Sequence, residues 1–313
     1  MQLIRGIHNL QARHYGCVLT IGNFDGVHRG HQILLEHLKQ EGRARGLPVM
    51  VMIFEPQPLE LFAGEKAPAR LTRLRDKVNY LAQAGIDYLL CVKFDSHFAA
   101  NHAQTFISRL LVEKLGVKFL VVGDDFRFGA GREGDFLLLQ KAGLELGFDV
   151  ISTATFCQGG RRVSSTAVRE ALSQDDLALA EDLLGHPYRI SGRVVHGNEL
   201  GRTIGFPTAN LPLKRQVSPI SGVYAVSVYG LGETPLPGVA NIGTRPTVTG
   251  DKHQQLEVHL LDVTLDLYGR HIDVVMRKKL RNEQRFASID ILKQQIANDV
   301  VAAREFFGLK TPV

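Results

Sequence analysis

The strongest constraint on how this chain folds is a change of hydrophobic rhythm near Leu184. Before it, short apolar runs alternate with longer amphipathic ones, the pattern of a parallel sheet covered by helices. Strands are expected at Val18 to Ile21, Val49 to Phe54, Tyr88 to Lys93, Phe119 to Gly123 and Asp149 to Ser152. Helices are expected at His31 to Arg45, Arg73 to Ala84, Thr105 to Leu115 and Phe136 to Leu146. After it come period-two segments broken by Gly and Pro, at Tyr188 to Val195, Gly222 to Tyr229, Leu256 to Leu261 and His271 to Met276, which indicate a small antiparallel barrel or sandwich. Ile289 to Phe307 reads as a closing amphipathic helix packed against it. The expected architecture is a doubly wound, Rossmann-like α/β domain over 1–184 and a small antiparallel β-barrel domain with a C-terminal helix over 185–313. The boundary falls at Gly185-His186-Pro187, where a Gly with a Pro soon after ends a helix.

A length of 313 residues with 44% hydrophobic and 22% charged side chains suits two cores. The net charge of +5 and a pI near 9.1 favour acidic ligands, whether nucleic acid or small phosphates. The basic clusters Arg277-Lys278-Lys279-Leu280-Arg281 and Arg70 to Lys77 are interrupted at the spacing of a strand or helix face, and read as solvated faces rather than a nucleic-acid patch. Cys17, Cys91 and Cys157 are far apart and lack paired metal spacing, so reduced thiols, a cytoplasmic setting and no zinc site are expected. Met1 to Thr20 is broken by Arg5, His8, Arg13 and His14, and nowhere is there a run of about 20 apolar residues. Neither export nor a membrane partner is expected.

Chemistry concentrates first in Gly22-Asn23-Phe24-Asp25-Gly26-Val27-His28-Arg29-Gly30-His31, which follows the strand ending at Ile21. That edge is where open α/β sheets bind ligands. Its glycines let backbone N–H groups approach phosphate oxygens, and His28 and His31, three apart at a helix start, can face one ligand near the helix's positive end. Transfer of a nucleotidyl group asks mainly for positioning and for neutralising charge on phosphate oxygens.

This run resembles the H-x-G-H loop of the nucleotidyltransferase superfamily, and its fuller form resembles that of bacterial FAD synthetases. Val163 to Arg169 resembles the superfamily's second element. There Ser165 and Thr166 are expected to cap a helix and offer hydroxyls to phosphate, and Arg169 a cation to the β- and γ-phosphates. Val122 to Gly129 resembles the segment lining the flavin side of the cleft, which implicates Phe126 and Phe128 as ring contacts and Asp125 as an acceptor, with Asp124 the alternative. Phe54-Glu55-Pro56-Gln57-Pro58 resembles the family's Phe-x-Pro-x-Pro segment and reads as rigid loop chemistry.

In the second half, Gly201 and Gly205 free the backbone to wrap a polyphosphate, Pro207 fixes the chain, and Thr208 and Asn210 offer two oxygens from alternate positions, suiting Mg²⁺ with ATP. Pro207-Thr208-Ala209-Asn210 resembles the hallmark of the riboflavin kinase family. The resemblance then implies a base at Glu257, in Leu256 to Asp262, and a loop near flavin and ATP at Val239 to Thr247 that includes Asn241 and Arg245. By periodicity Glu257 and His259 share one face, and whether that face lines a site or meets solvent is open.

Both halves together resemble bacterial bifunctional riboflavin kinase and FAD synthetases over nearly the whole chain. That implies transfer of the ATP γ-phosphate to riboflavin, giving FMN, then of AMP from a second ATP to FMN, giving FAD and pyrophosphate, with a divalent cation such as Mg²⁺. Riboflavin, FMN and ATP would be the partners, and nucleic acid would not. The rivals are another nucleotidyltransferase of the superfamily, which the Pro-Thr-Ala-Asn string argues against, and a non-catalytic nucleotide or nucleic-acid binder, which would need neither the histidine pair nor Glu257. No heptad or interface stripe indicates an oligomeric state.

Overall fold

The computed structural model describes residues 1–123, 125–153, 157–158, 161–197, 205–213, 217–246, 252–263 and 265–310. Contacts divide the chain into two compact units, Met1–Pro68 with Thr72–Ser165, and Ala69–Leu71 with Thr166–Val313.

The first unit is built on a six-stranded parallel sheet of β1 (Gln2–Arg5), β2 (Cys17–Ile21), β3 (Val49–Glu55), β4 (Tyr88–Lys93), β5 (Val117–Gly123) and β6 (Asp149–Thr153). Their order is β1-β4-β3-β2-β5-β6, so the winding reverses at β2 and the loop leaving Ile21 emerges at a topological switch point. Every residue of β2 and all but the last of β3 are buried, as expected of strands covered on both faces. The helices are α1 (Arg29–Arg45), α2 (Pro58–Ala63), α3 (Leu74–Gln83), α4 (Ser96–Ala99), α5 (Ala103–Thr105, continuing in π-type turns over Phe106–Lys114) and α6 (Phe136–Leu146). Two cores flank the sheet, one around Leu19, Met50, Leu90 and Leu120, the other around Val18, Val51, Leu89 and Val121. Alternate residues of one strand thus serve opposite layers. The edge strand β1 was not expected, because four residues with one buried position carry no readable period.

In the second unit, α7 (Ser165–Ser173, entered from the first) and α8 (Leu177–Leu184) precede an antiparallel sheet. A short ribbon, β7 (Cys157–Gln158) with β8 (Arg161–Arg162), lies before them in the chain. The sheet runs β10-β13-β12-β11-β14-β9, from β9 (Arg189–Arg193), β10 (Ala209–Pro212), β11 (Gly222–Tyr229), β12 (Leu236–Pro246), β13 (Lys252–Leu260) and β14 (His271–Arg281). A bridge between Val195 and Asn210 joins the two edges, with Val195 N–H donating to the Asn210 carbonyl at 2.9 Å, so the sheet closes as a barrel and not a sandwich. Helix α9 (Ile289–Phe307) packs Ala303 into the cluster of Val223, Ala225 and Val239, and Asp299 takes a bidentate bond from Arg281 at 2.8 Å. The segment read as a loop at Val239 to Thr247 is strand up to Pro246. Gly243 and Pro246 look like breakers, but the ladder with β13 runs through both.

The cations of 277–281 are taken up within this unit. Arg277 reaches the Ser227 and Tyr229 hydroxyls at 3.0 and 3.1 Å, Lys278 lies over the Phe306 ring, and Lys279 grips Asp175 at 2.8 Å. The reading of Arg70 to Lys77 as a solvated face needs correction. Lys77 is 0% exposed and Asp76 6%, because this stretch enters α3 where it is fastened to the loop after β2.

Candidate active sites

The loop after β2 is held by its own carboxylate. Asp25, 2% exposed, accepts from the Thr72 backbone N–H at 3.0 Å and hydroxyl at 3.1 Å, and the Gly26 N–H donates back to that hydroxyl at 3.0 Å. Ser165 was expected to cap its helix. Its hydroxyl donates to the Asp25 carbonyl at 2.8 Å, which leaves the oxygen lone pairs free to accept.

His28 is the N-cap of α1, an unusual cap, and its Nδ1 accepts from the His31 N–H at 3.4 Å. The two imidazoles stack with centroids 3.7 Å apart and planes 19° from parallel. Phe24, buried at a left-handed φ of 48°, backs His31 at 4.6 Å. Gly22 packs against that same Phe24 ring, and Asn23 is half-buried. Gly30 is required by close approach, since a Cβ there would stand 3.2 Å from both the His28 ring and the Val163 carbonyl. Burial first, then the charges of His28 and Lys77, hold the His31 imidazole well below its ordinary proton affinity. Its Nδ1 is enclosed without a hydrogen-bond partner among the described residues. A neutral His31 imidazole at a helix N-terminus presents a donor to an anion without desolvating a cation.

The flavin-side expectation named Phe126 and Phe128. They stack at 5.5 Å, but Phe128 is buried against Phe106 at 5.3 Å, leaving half-buried Phe126 nearer to solvent. Asp125 is exposed, and Asp124 lies outside the described residues. The aromatic surface is larger than the sequence reading had it. Phe62, 68% exposed, meets Phe94 at 5.8 Å, Phe94 meets Phe54 and Phe98, and Phe98 meets Phe106. The missed signal was positional: Phe54 and Phe94 sit at the C-terminal ends of neighbouring strands, and Phe126 follows β5 in the same way.

Thr166 is exposed, and half-buried Arg169 donates through Nε to the Ala69 carbonyl at 2.5 Å, both within the second unit. In the barrel, Asn210, Glu257 and Asn241 stand directly opposite one another on β10, β13 and β12, so they share one face. Leu256, Val258 and Leu260 hold the other face and are buried, while Glu257 is half-buried. Glu257 thus belongs to a polar row across three strands. Glu283 faces the same row: desolvation raises its proton affinity, Arg281 opposes this, and the Glu257 charge raises it further.

On the Val258 and Leu260 side lies a cavity of about 600 Å³ lined by Val194, Thr208, Leu265, Leu267 and Tyr268 as well. Tyr268 stacks on His196 at 3.7 Å. Thr208 reaches this cavity, and Pro207 beside it accepts from His259 at 3.0 Å. Asn210, 5% exposed, is tethered by donating to the Thr208 carbonyl at 3.4 Å and accepting from Gln255. Gly205 has a φ of 91°, a backbone that glycine adopts without strain. Gly201 and the Arg245 side chain lie outside the described residues. Among those described, no cluster of three or more His, Cys, Asp or Glu side chains is placed to hold a metal ion. The Thr208 hydroxyl and the Asn210 carboxamide are neutral oxygen donors, which fit a hard cation carried in by phosphates rather than one held by protein charge.

Residues 10–167 match the family model described as FAD synthetase, and residues 184–307 the one described as riboflavin kinase. A bifunctional riboflavin kinase/FMN adenylyltransferase of Escherichia coli (strain K12) is 76% identical over 313 residues, all of both chains. Its counterpart in Haemophilus influenzae is 55% identical, covering 98% of this chain and all of the other. A crystal structure from Streptococcus pneumoniae, described as a macrolide-efflux protein, superposes with a TM-score of 0.80 at 29% identity, covering 97% and 99% of the two chains. No helix among the described residues is long and apolar enough to cross a membrane. With two family models in series and relatives matched end to end, the chain belongs to the bifunctional riboflavin kinase/FMN adenylyltransferase family.

Proposed function

We propose that the chain makes FAD from riboflavin in two steps, with the kinase reaction on the barrel and the adenylyl transfer on the parallel α/β domain. Residues 1–184 would form the adenylyltransferase domain and 185–313 the kinase domain. The observation that carries the second step is the stacked His28 and His31 pair at the start of α1, at the switch point of the sheet.

In the kinase step the riboflavin 5′-hydroxyl attacks the ATP γ-phosphorus, the bond to the β–γ bridging oxygen breaks, and ADP leaves. Glu257, in its row with Asn210 and Asn241, takes the hydroxyl proton. The apolar cavity with Tyr268 receives the adenine, and Gly201, Gly205 and Arg245 keep the ATP and flavin role that the resemblance implies. The Thr208 hydroxyl and Asn210 carboxamide oxygen hold Mg²⁺ arriving with ATP, which neutralises phosphate charge.

In the second step an FMN phosphate oxygen attacks the α-phosphorus and pyrophosphate leaves. His28, His31 and the backbone of Gly22, Asn23, Phe24, Gly26 and Gly30 stabilise the charge on the phosphate oxygens. Ser165, Thr166 and Arg169 keep the phosphate role that the resemblance implies. The isoalloxazine stacks on the aromatic surface of Phe62, Phe94 and Phe126, with Asp125 accepting a ring hydrogen bond. Buried Cys17, whose thiol is pushed up to about 12 by desolvation, and Cys91, neither of them in a disulfide, accord with work in the reducing cytoplasm. The partners are small molecules, since the cations of 277–281 are spent on internal contacts.

Glu257→Ala tests the division of labour. It should abolish FMN formation from riboflavin while FMN supplied directly is still converted to FAD. Equal loss of both conversions would contradict two separate sites.

A further inference from the structure

A glycine inside a strand often marks a place where something comes close to the backbone, and Gly243 of β12 is such a place. A Cβ there would overlap one Glu283 carboxylate oxygen and stand 2.9 Å from the carboxyl carbon. Glu283 follows β14 and folds back over β12, where Gly243 shares a face with Asn241. Gly243 pairs with Gln255 as Asn241 pairs with Glu257, so the Glu283 carboxylate lies one diagonal step from Glu257. Such diagonal neighbours are about 7–8 Å apart, within reach of long side chains. Glu283 is exposed, and among the described residues it takes no hydrogen bond or ion pair. Arg281, the cation near it in the chain, is engaged elsewhere, with Asp299 at 2.8 Å and with the Asn282 carbonyl at 3.0 Å. Desolvation raises the proton affinity of Glu283, Arg281 lowers it and the Glu257 charge raises it, so the two carboxylates act on one another. Two carboxylates on one polar face call for hydrogen-bond donors, and a ligand rich in hydroxyls supplies them.

We propose that Glu283 is a second substrate-binding carboxylate of the kinase site, accepting a hydrogen bond from the ribityl hydroxyl beside the one that Glu257 deprotonates. This rests on the reading of Glu257 as the base of riboflavin phosphorylation. With the 5′-hydroxyl at Glu257, the 4′-hydroxyl on the next carbon meets Glu283 one step along the row. Asn210 and Asn241 also bring oxygens to this face. An ionised carboxylate, however, forms a bond with a hydroxyl roughly twice as strong as a neutral amide does. The contact holds the ribityl chain along the row and presents its end to Glu257. Gly243 belongs to the same arrangement, because any side chain there would displace the carboxylate. Glu283 itself lies outside every sequence motif that points to the kinase site.

The test compares riboflavin with 4′-deoxyriboflavin as substrates for phosphorylation by the full-length protein, unaltered and as Glu283→Ala, Glu283→Gln, Gly243→Ala and Glu257→Ala. The unaltered protein should prefer riboflavin in kcat/KM by about tenfold or more, since a site built to bond a hydroxyl rejects the analogue that lacks it. In Glu283→Ala that preference should vanish, with most of the loss in the KM for riboflavin and the KM for ATP unchanged. Glu283→Gln, which keeps an acceptor of the same shape, should recover part of the preference. Gly243→Ala leaves Glu283 in the chain but moves its carboxylate, so it should lose the preference too, and it decides the matter where Glu283→Ala folds poorly. A preference that persists in Glu283→Ala or Gly243→Ala, or that is absent from the unaltered protein, overturns the inference. Undiminished FMN formation by Glu257→Ala would instead sink the underlying reading of Glu257.

Discussion

His28 and His31 lie face to face, 3.7 Å between ring centroids, with the His28 ring nitrogen receiving the His31 backbone N–H. The cap of the helix and the donor pair are thus one structure, and neither ring can be removed without disturbing the other.

Replacing both histidines with alanine should therefore leave FMN accumulating. FAD formation should fall by about 10²- to 10⁴-fold, the range for losing positioned donors and acid–base groups. Chromatography of the flavins after incubation with riboflavin and ATP measures both at once.

Gly30→Ala should slow FAD formation by about tenfold without touching the kinase, because a new Cβ has to push the His28 ring and the Val163 carbonyl apart by a few tenths of an ångström. Steady-state rates with FMN and with riboflavin as separate substrates decide it. A rate unchanged with FMN would show that the ring position tolerates this movement.

Stability should depend on pH through the same residue. His31 is held neutral in the fold and takes up a proton near 6.5 once unfolded, and His14 is lowered too, by burial and by Arg13. Unfolding therefore binds protons below 6.5, and stability of the first unit is lost as pH falls through the window between that value and the folded one. Urea midpoints at pH 7.5 and 5.5 should show the drop, and it should shrink in His31→Ala.

The barrel carries a clamp whose strength is measurable. Asp175, at a left-handed φ of 59°, receives the Tyr224 hydroxyl at 2.7 Å and the Lys279 ammonium at 2.8 and 2.9 Å, all within the second unit. Burial and the Asp175 charge raise the Tyr224 proton affinity, so the phenol remains a donor. Tyr224→Phe and Lys279→Met should each lower the unfolding free energy by about 1–2 kcal/mol. Non-additivity in the double variant would show that they act as one network.

Much of this was legible because hydrophobic period and motif agreed. Phe136–Leu146 and Ile289–Phe307 are helices over the residues their spacing indicates, and the loop from Gly22 to His31 falls at the strand end it needed. What escaped depends on contacts between distant segments. Nothing near Lys77 distinguishes it from the solvated lysines of other helices, since its burial comes from where Thr72 meets Asp25. The row of Asn210, Glu257 and Asn241 is a matter of register across three strands, which period two fixes only to a face. The aromatic surface from Phe62 to Phe126 gathers single residues from separate strand ends.

The most direct test of the two-step account is a time course of the purified protein with riboflavin, ATP and Mg²⁺, with flavins separated by chromatography at each point. FMN should appear first with ADP, and FAD should follow with pyrophosphate as FMN rises. A mixture in which neither FMN nor FAD forms would contradict the account at its centre.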